Sequence, residues 1–258
     1  VYTVRRILMI PKIIHYCWLS NDPVPIELEN CMETWKEKLD GYQFIKWDFE
    51  RFDKGSSVWV KEAFDNKKYA FAADYIRLYA LYTYGGIYLD MDIEVLKNFD
   101  DLIDRRYFMA YEKPDSSDIE AACMGFEPHD IYLAKCLEYY DDRHFVKDSG
   151  EFDTLPLPRV MKKIAIENGI QLECFDWQTF TCKSFDTGIE YPVEHSYTIH
   201  HFAGSWLDEE LQSEIVLRRS FSEKYGKYGD LLFKMYKYGL HPWKIISLVR
   251  MKTKTEKD

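Results

Sequence analysis

Apolar and polar positions along the chain follow two rhythms, and one stretch keeps the shorter rhythm without a break. From 87 to 95, Ile87, Leu89, Met91, Ile93 and Val95 are apolar, and Tyr88, Asp90, Asp92 and Glu94 between them are not. A period of two predicts a strand with one face for a core and the other for polar partners. Residues i and i+2 of a strand point the same way, so Asp90, Asp92 and Glu94 are expected side by side. Ahead of this strand, Phe71, Tyr75, Leu78 and Tyr82 recur at four, three and four, which predicts a helix over 67–84. Ala72, Ala73, Ile76, Ala80 and Leu81 make that helix apolar nearly all round, so it must be buried. Gly85-Gly86 ends it, and the acidic strand follows at once.

The same reading predicts strands over 10–18 and 42–47. Between them lies a helix ending near 37, with Leu28, Met32 and Trp35 on one face. Strand, helix, strand is the opening of an α/β nucleotide-binding architecture. A short helix is expected over 57–64, further strands over 107–111, 121–126, 170–175 and 197–202, and helices over 129–140 and 157–168. From 211 the pattern is helical, interrupted at Gly226, Gly229, Gly239 and Pro242. The expected organisation is one α/β domain over 1–210 and a helical C-terminal appendix over 211–258.

A chain of 258 residues can bury one substantial core. Its net charge of −10 argues against a general nucleic-acid binder. The charge is uneven: residues 218–258 hold 11 Lys/Arg against 4 Asp/Glu, a balance of +7 that leaves −17 on the rest. Phe233, Tyr236, Leu240, Trp243, Ile246 and Leu248 are threaded among those lysines. Such a segment either packs on the domain while its lysines keep it dissolved, or meets an anionic membrane surface. Six cysteines without paired spacing read as reduced thiols of a cytoplasmic protein. No apolar run approaches the roughly 20 residues that span a bilayer. No leader pattern is visible, and Met9 reads as a native start.

Charge pattern and chemistry meet in three places. Carboxylates sharing a strand face repel one another, and water or a cation relieves this. Hard oxygen ligands suit Mg²⁺ or Mn²⁺, whose usual partner is a phosphate; the alternative is a solvated edge strand. Asp74 and Arg77, three apart on the buried helix, either serve a pocket above the end of the acidic strand or neutralise each other. His200 and His201, adjacent on a strand, point opposite ways, so at most one faces a given site. An imidazole with two carboxylates fits Mn²⁺, although a structural histidine is the plainer reading. Trp18, at the end of the first strand, occupies either a ligand position or the core.

Four runs carry a resemblance: Ile-Pro-Lys-Ile-Ile-His-Tyr-Cys-Trp (10–18), Ala-Ala-Asp-Tyr-Ile-Arg-Leu-Tyr-Ala-Leu-Tyr (72–82), Gly-Gly-Ile-Tyr-Leu-Asp-Met-Asp (85–92) and His-His-Phe-Ala-Gly-Ser-Trp (200–206). In this order they resemble the DXD-type sugar transferases of glycosyltransferase family 32, which includes yeast initiating mannosyltransferases and bacterial capsule and lipopolysaccharide enzymes. The sugar-transferring domains of clostridial toxins share the pattern. The resemblance implies an α/β, A-type glycosyltransferase fold: a mixed, mainly parallel central sheet flanked by helices, with the nucleotide-sugar site in 1–210. It implies Asp90, Asp92 and His201 as ligands of Mn²⁺ (or Mg²⁺), with Asp90 also near the ribose. Asp74 and Arg77 would hold donor-sugar hydroxyls, Trp18 would stack on the base, Tyr88 would line the donor site, and Ser205 and Trp206 would close over the diphosphate.

The implied activity is retaining transfer of a hexose from a nucleotide-diphosphate sugar, a UDP-sugar ahead of GDP-mannose. The acceptor would be a saccharide or lipid-linked oligosaccharide, in bacterial capsule or surface polysaccharide synthesis. A same-face reaction is implied, in which the departing phosphate oxygen helps deprotonate the acceptor. Two rivals remain at this level: a metal-dependent phosphodiesterase or hydrolase of nucleotide sugars, and a non-catalytic sugar-binding module.

Overall fold

The computed structural model describes residues 9–115, 118–204 and 207–239. Its strands are β1 (Ile13–Cys17), β2 (Gln43–Trp47), β3 (Gly86–Leu89), β4 (Ile93–Val95), β5 (Tyr107–Phe108), β6 (Cys123–Phe126) and β7 (Thr198–His200). Its α-helices are α1 (Ile26–Lys38), α2 (Val58–Asp65), α3 (Tyr69–Tyr84), α4 (Ile131–Glu138), α5 (Leu157–Glu167), α6 (Glu209–Tyr225) and α7 (Gly229–Tyr238). Residues up to 183, with 191–206, form one compact unit; 184–190 and the chain from 207 form a second.

In the first unit a five-stranded sheet has the order β2-β1-β3-β6-β5. β1 pairs in parallel with β2 and β3, whereas β6 runs antiparallel to both β3 and β5. Four strands therefore point one way and β6 alone is reversed, a mixed, mainly parallel sheet. Both faces are covered, which suits apolar strands of this kind. Alternation along β3 sends Ile87 and Leu89 into one core with Ile14, Trp35 and Phe108, and Tyr88 into the other with Ala72, Ile76, Met124 and Leu133.

Helix α3 is buried on nearly every side, as its composition demands. It hands over to β3 through Gly85 and Gly86, at φ +64° and +105°. A Cβ on Gly86 would stand 2.7 Å from the Ile13 carbonyl oxygen, so neither the backbone angle nor the close approach of β1 admits a side chain. His15 of β1 locks the junction. The Trp47 Nε1–H donates to His15 Nδ1 at 3.0 Å, so the remaining ring proton sits on Nε2 and goes to the Gly85 carbonyl at 2.8 Å. Burial, the largest influence, holds the His15 imidazole neutral and brings its pKa down to about 4.

The predicted strand over 87–95 is interrupted. β3 ends at Leu89, the Ile93 N–H closes a turn on the Asp90 carbonyl at 3.0 Å, and β4 resumes in a separate two-stranded sheet with β7. The cause lies in α1: Trp35 Nε1–H donates to the Ile93 carbonyl at 2.6 Å, and Thr34 Oγ1 accepts the Val95 N–H at 2.9 Å, which holds β4 away from the main sheet. The expected strands at 107–111 and 170–175 shrink to β5 and to isolated bridges, such as Ala110 with Phe175.

In the second unit α6 begins at Asp208, whose carboxylate accepts the Leu211 N–H at 2.8 Å, an N-cap. Gly229 lets α7 approach α6 closely, since a Cβ there would meet Ser222 Cα at 2.3 Å. Arg218 bridges Asp186 (2.8 Å) and Asp230 (2.6 Å), and Phe221 packs against Phe233. Leu240, Trp243, Ile246 and Leu248 of the basic segment lie outside the described residues. Among those described, no helix is long and apolar enough to cross a membrane.

Candidate active site

The Asp90-Met91-Asp92 turn spans the gap between the two sheets. On the β3 side, the Asp90 N–H donates to the Ala122 carbonyl at 2.8 Å beside β6. On the β4 side, the Asp92 carbonyl accepts the His201 N–H at 3.0 Å, continuing the pairing of β4 with β7. Phe202 then takes a left-handed φ of +54°, uncommon for a bulky residue. That bend brings the Ala203 N–H onto Asp92 Oδ2 at 2.7 Å. His200 Nε2 stands 3.5 Å from the same oxygen. Asp90, Asp92 and His200 each present a ligand atom within 4.8 Å of the others, a donor set of two carboxylates and an imidazole that fits Mn²⁺ or Mg²⁺.

Beneath this group, Arg77 reaches Asp90 Oδ2 and Asp74 Oδ1, both at 3.2 Å, and donates to the Ala121 carbonyl at 2.7 Å. Its guanidinium lies over the Tyr88 ring, 4.6 Å from the centroid, and its buried Nε has no hydrogen-bond partner among the described residues. The Tyr88 hydroxyl donates to Asp90 Oδ1 at 3.1 Å.

Residues 25–109 match the model of a glycosyltransferase sugar-binding region containing a DXD motif. That stretch of the chain is similar to the sugar-binding region of the DXD glycosyltransferases. Mannosyl phosphorylinositol ceramide synthase SUR1 of Saccharomyces cerevisiae is 34% identical over 154 residues, 54% of this chain and 37% of that protein. Inositol phosphoceramide mannosyltransferase 3 of Schizosaccharomyces pombe is 31% identical over 121 residues, 45% of this chain and 33% of that protein. The aligned stretch thus spans about a third of the length of these curated relatives. The solved structure of PaToxG Glycosyltransferase superposes with a TM-score of 0.50 at 19% identity, covering 62% of this chain and 69% of that one, a likeness of fold.

Within this DXD region the electrostatics divide the two motif carboxylates. Burial opposes the charge on Asp92, but the His200 imidazolium and the Ala203 N–H outweigh it and hold the carboxyl down at about 2. Burial raises Asp90, against the pull of Arg77. Burial likewise raises Asp74 to about 7 despite Arg77. His200 is pushed well above the usual imidazole range: burial works against its charge, and Glu120 and Asp92 more than compensate.

The sequence-based ligand set named His201, and the geometry corrects it. His200 is the histidine turned toward Asp90 and Asp92, while His201 points away. His201 Nε2–H donates to Glu94 at 2.8 Å, and its Nδ1 accepts from Lys183 at 3.0 Å. The expectation that Glu94 shares a face with Asp90 and Asp92 fails for the same reason, since the turn at 90–92 breaks the period of two. Tyr88 is closed off from solvent and acts on Asp90 from within the core, not as a lining of the donor site. Trp18 is partly exposed at the end of β1, its Nε1–H donating to the Asp22 carbonyl at 3.0 Å. Ser205 and Trp206 lie outside the described residues. Two residues were not foreseen: Lys183, against His201, and Glu120, against His200. A single acid at the head of the apolar run 121–126 was the only sequence signal for Glu120.

Proposed function

We propose that this chain transfers a hexose, with retention of configuration, from a nucleotide-diphosphate sugar to a saccharide or glycolipid acceptor. The observation that carries the reading is the convergence of Asp90, Asp92 and His200 ligand atoms within 4.8 Å, inside a region matched to the DXD glycosyltransferases. A divalent cation bound there, Mn²⁺ or Mg²⁺, supplies positive charge to a departing diphosphate. Asp92, oriented by the Ala203 N–H, is the principal ligand from the chain. Asp74 and Arg77 hold donor-sugar hydroxyls. Trp18 stacks on the base.

The names of the relatives favour mannose as the sugar and an inositol-phosphate lipid as acceptor, which puts GDP-mannose beside the UDP-sugars as a donor to test. The resemblance to capsule enzymes favours a bacterial surface polysaccharide instead. The catalytic domain in this reading is 1–210, with the basic segment 211–258 seating a cytoplasmic enzyme on an anionic membrane.

Incubation of the chain with GDP-mannose or UDP-hexoses, Mn²⁺ and acceptor separates the readings. Sugar transferred to the acceptor supports transfer. Release of free sugar or sugar phosphate regardless of acceptor identifies a hydrolase. Failure to bind any nucleotide sugar in Mn²⁺ leaves only a binding module.

A further inference from the structure

Glu120 is a carboxylate only 1% exposed, lying just ahead of β6. A buried charge persists only when its lone pairs are occupied, and here three donors occupy them. Oε1 accepts the Ala122 N–H at 2.7 Å. Oε2 accepts the Thr181 hydroxyl at 2.8 Å and faces His200 Nδ1 at 3.1 Å. An ionised carboxylate can only accept, so His200 Nδ1 must carry a proton. In the neutral ring the lone pair then stands on Nε2, the nitrogen directed at Asp92. Phe202 fixes the plane of the ring, stacking on it with centroids 3.9 Å apart and 27° between planes.

The two residues that follow Glu120 support the other side of the site. The Ala122 carbonyl takes the Asp90 N–H, and the Ala121 carbonyl takes Arg77, which in turn holds the Asp90 carboxylate. Residues 120–122 therefore back both the imidazole and a carboxylate of the ligand set.

We propose that Glu120 is the positioning residue of the metal site, selecting the tautomer of His200 that offers Nε2 to the cation. This rests on the reading of Asp90, Asp92 and His200 as ligands. Glu120→Gln distinguishes it sharply. The Ala122 N–H requires an oxygen at the Oε1 position, so the amide nitrogen of the glutamine falls where Oε2 was, facing His200. It would donate to Nδ1, force the proton onto Nε2, and turn an N–H toward the cation in place of a lone pair.

The test is a Mn²⁺ titration of the full chain, with GDP or UDP present, followed by the electron paramagnetic resonance signal of the free ion. Thermal melts of the metal-free proteins accompany it. Glu120→Gln is expected to weaken Mn²⁺ binding about 10–100-fold, the usual effect of removing a carboxylate behind a histidine ligand. A melting temperature that falls while Mn²⁺ affinity stays at the wild-type value assigns Glu120 to structure alone and overturns the proposal. In the wild-type protein saturated with Mg²⁺, long-range proton–nitrogen correlation of His200 should show Nδ1–H; an Nε2–H signal overturns the proposal without any variant. Wild-type protein that binds no Mn²⁺ with either nucleotide overturns the metal reading itself, and this inference with it.

Discussion

The neutral histidine beneath the α3–β3 junction makes acid sensitivity a measurable property of this fold. His15 accepts from Trp47 and donates to Gly85, an arrangement available only to the uncharged ring. Its pKa is about 4 when folded, against an ordinary value of 6.5. A base with a depressed folded pKa favours folding fully above its unfolded pKa, and that contribution drains away as pH falls from about 6.5 toward 4. Each unit of separation corresponds to about 1.4 kcal/mol, so the full loss is about 3 kcal/mol, with about 2 kcal/mol of it gone by pH 5. His15→Gln supplies the control: its amide can accept from Trp47 and donate to Gly85, and it does not titrate. Urea unfolding of both proteins at pH 7.5 and 5.0 gives the stability difference at each pH. The wild type should lose about 2 kcal/mol relative to the glutamine variant between the two. A difference that is the same at both values would refute the argument, because it would mean that His15 titrates alike in the folded and unfolded chain.

Asp92→Asn, isosteric, should abolish nearly all transfer; full activity in the variant or in EDTA would remove the metal from the mechanism. Asp74→Ala should reduce transfer far more than it weakens binding of the free nucleotide. If it instead unfolds the protein, the pair with Arg77 is structural, since stranding one buried charge costs about 3–5 kcal/mol. Truncation after Gly239 should abolish salt-sensitive flotation with anionic liposomes; wild-type protein that never floats would sink the membrane reading.

What the sequence disclosed followed from local pattern. Helix α3 was legible because apolar residues surround it, and its end because two glycines follow. Asp74, Arg77, Asp90 and Asp92 were singled out by alternation and helical spacing as well as by resemblance, because each of these is a local pattern. The interruption between β3 and β4 was not legible, because alternation continues through Asp90 and Asp92 while the force that breaks the strand comes from Thr34 and Trp35, some sixty residues away. The choice between His200 and His201 was hidden for a similar reason. Strand alternation established that they diverge, but which one faces the carboxylates is decided by Glu120 and Thr181 from other parts of the chain.

The tripeptide Glu120-Ala121-Ala122 has a consequence for how such a region can diverge. Its two carbonyls and one carboxylate alternate between partners belonging to different elements, Asp90 and Arg77 on one side and His200 on the other. Insertion or deletion of one residue there would shift these groups off their partners and uncouple both halves of the ligand set together. Divergence here should therefore proceed by side-chain replacement at constant spacing across 120–122, with length variation confined to stretches that hold no part of this backing.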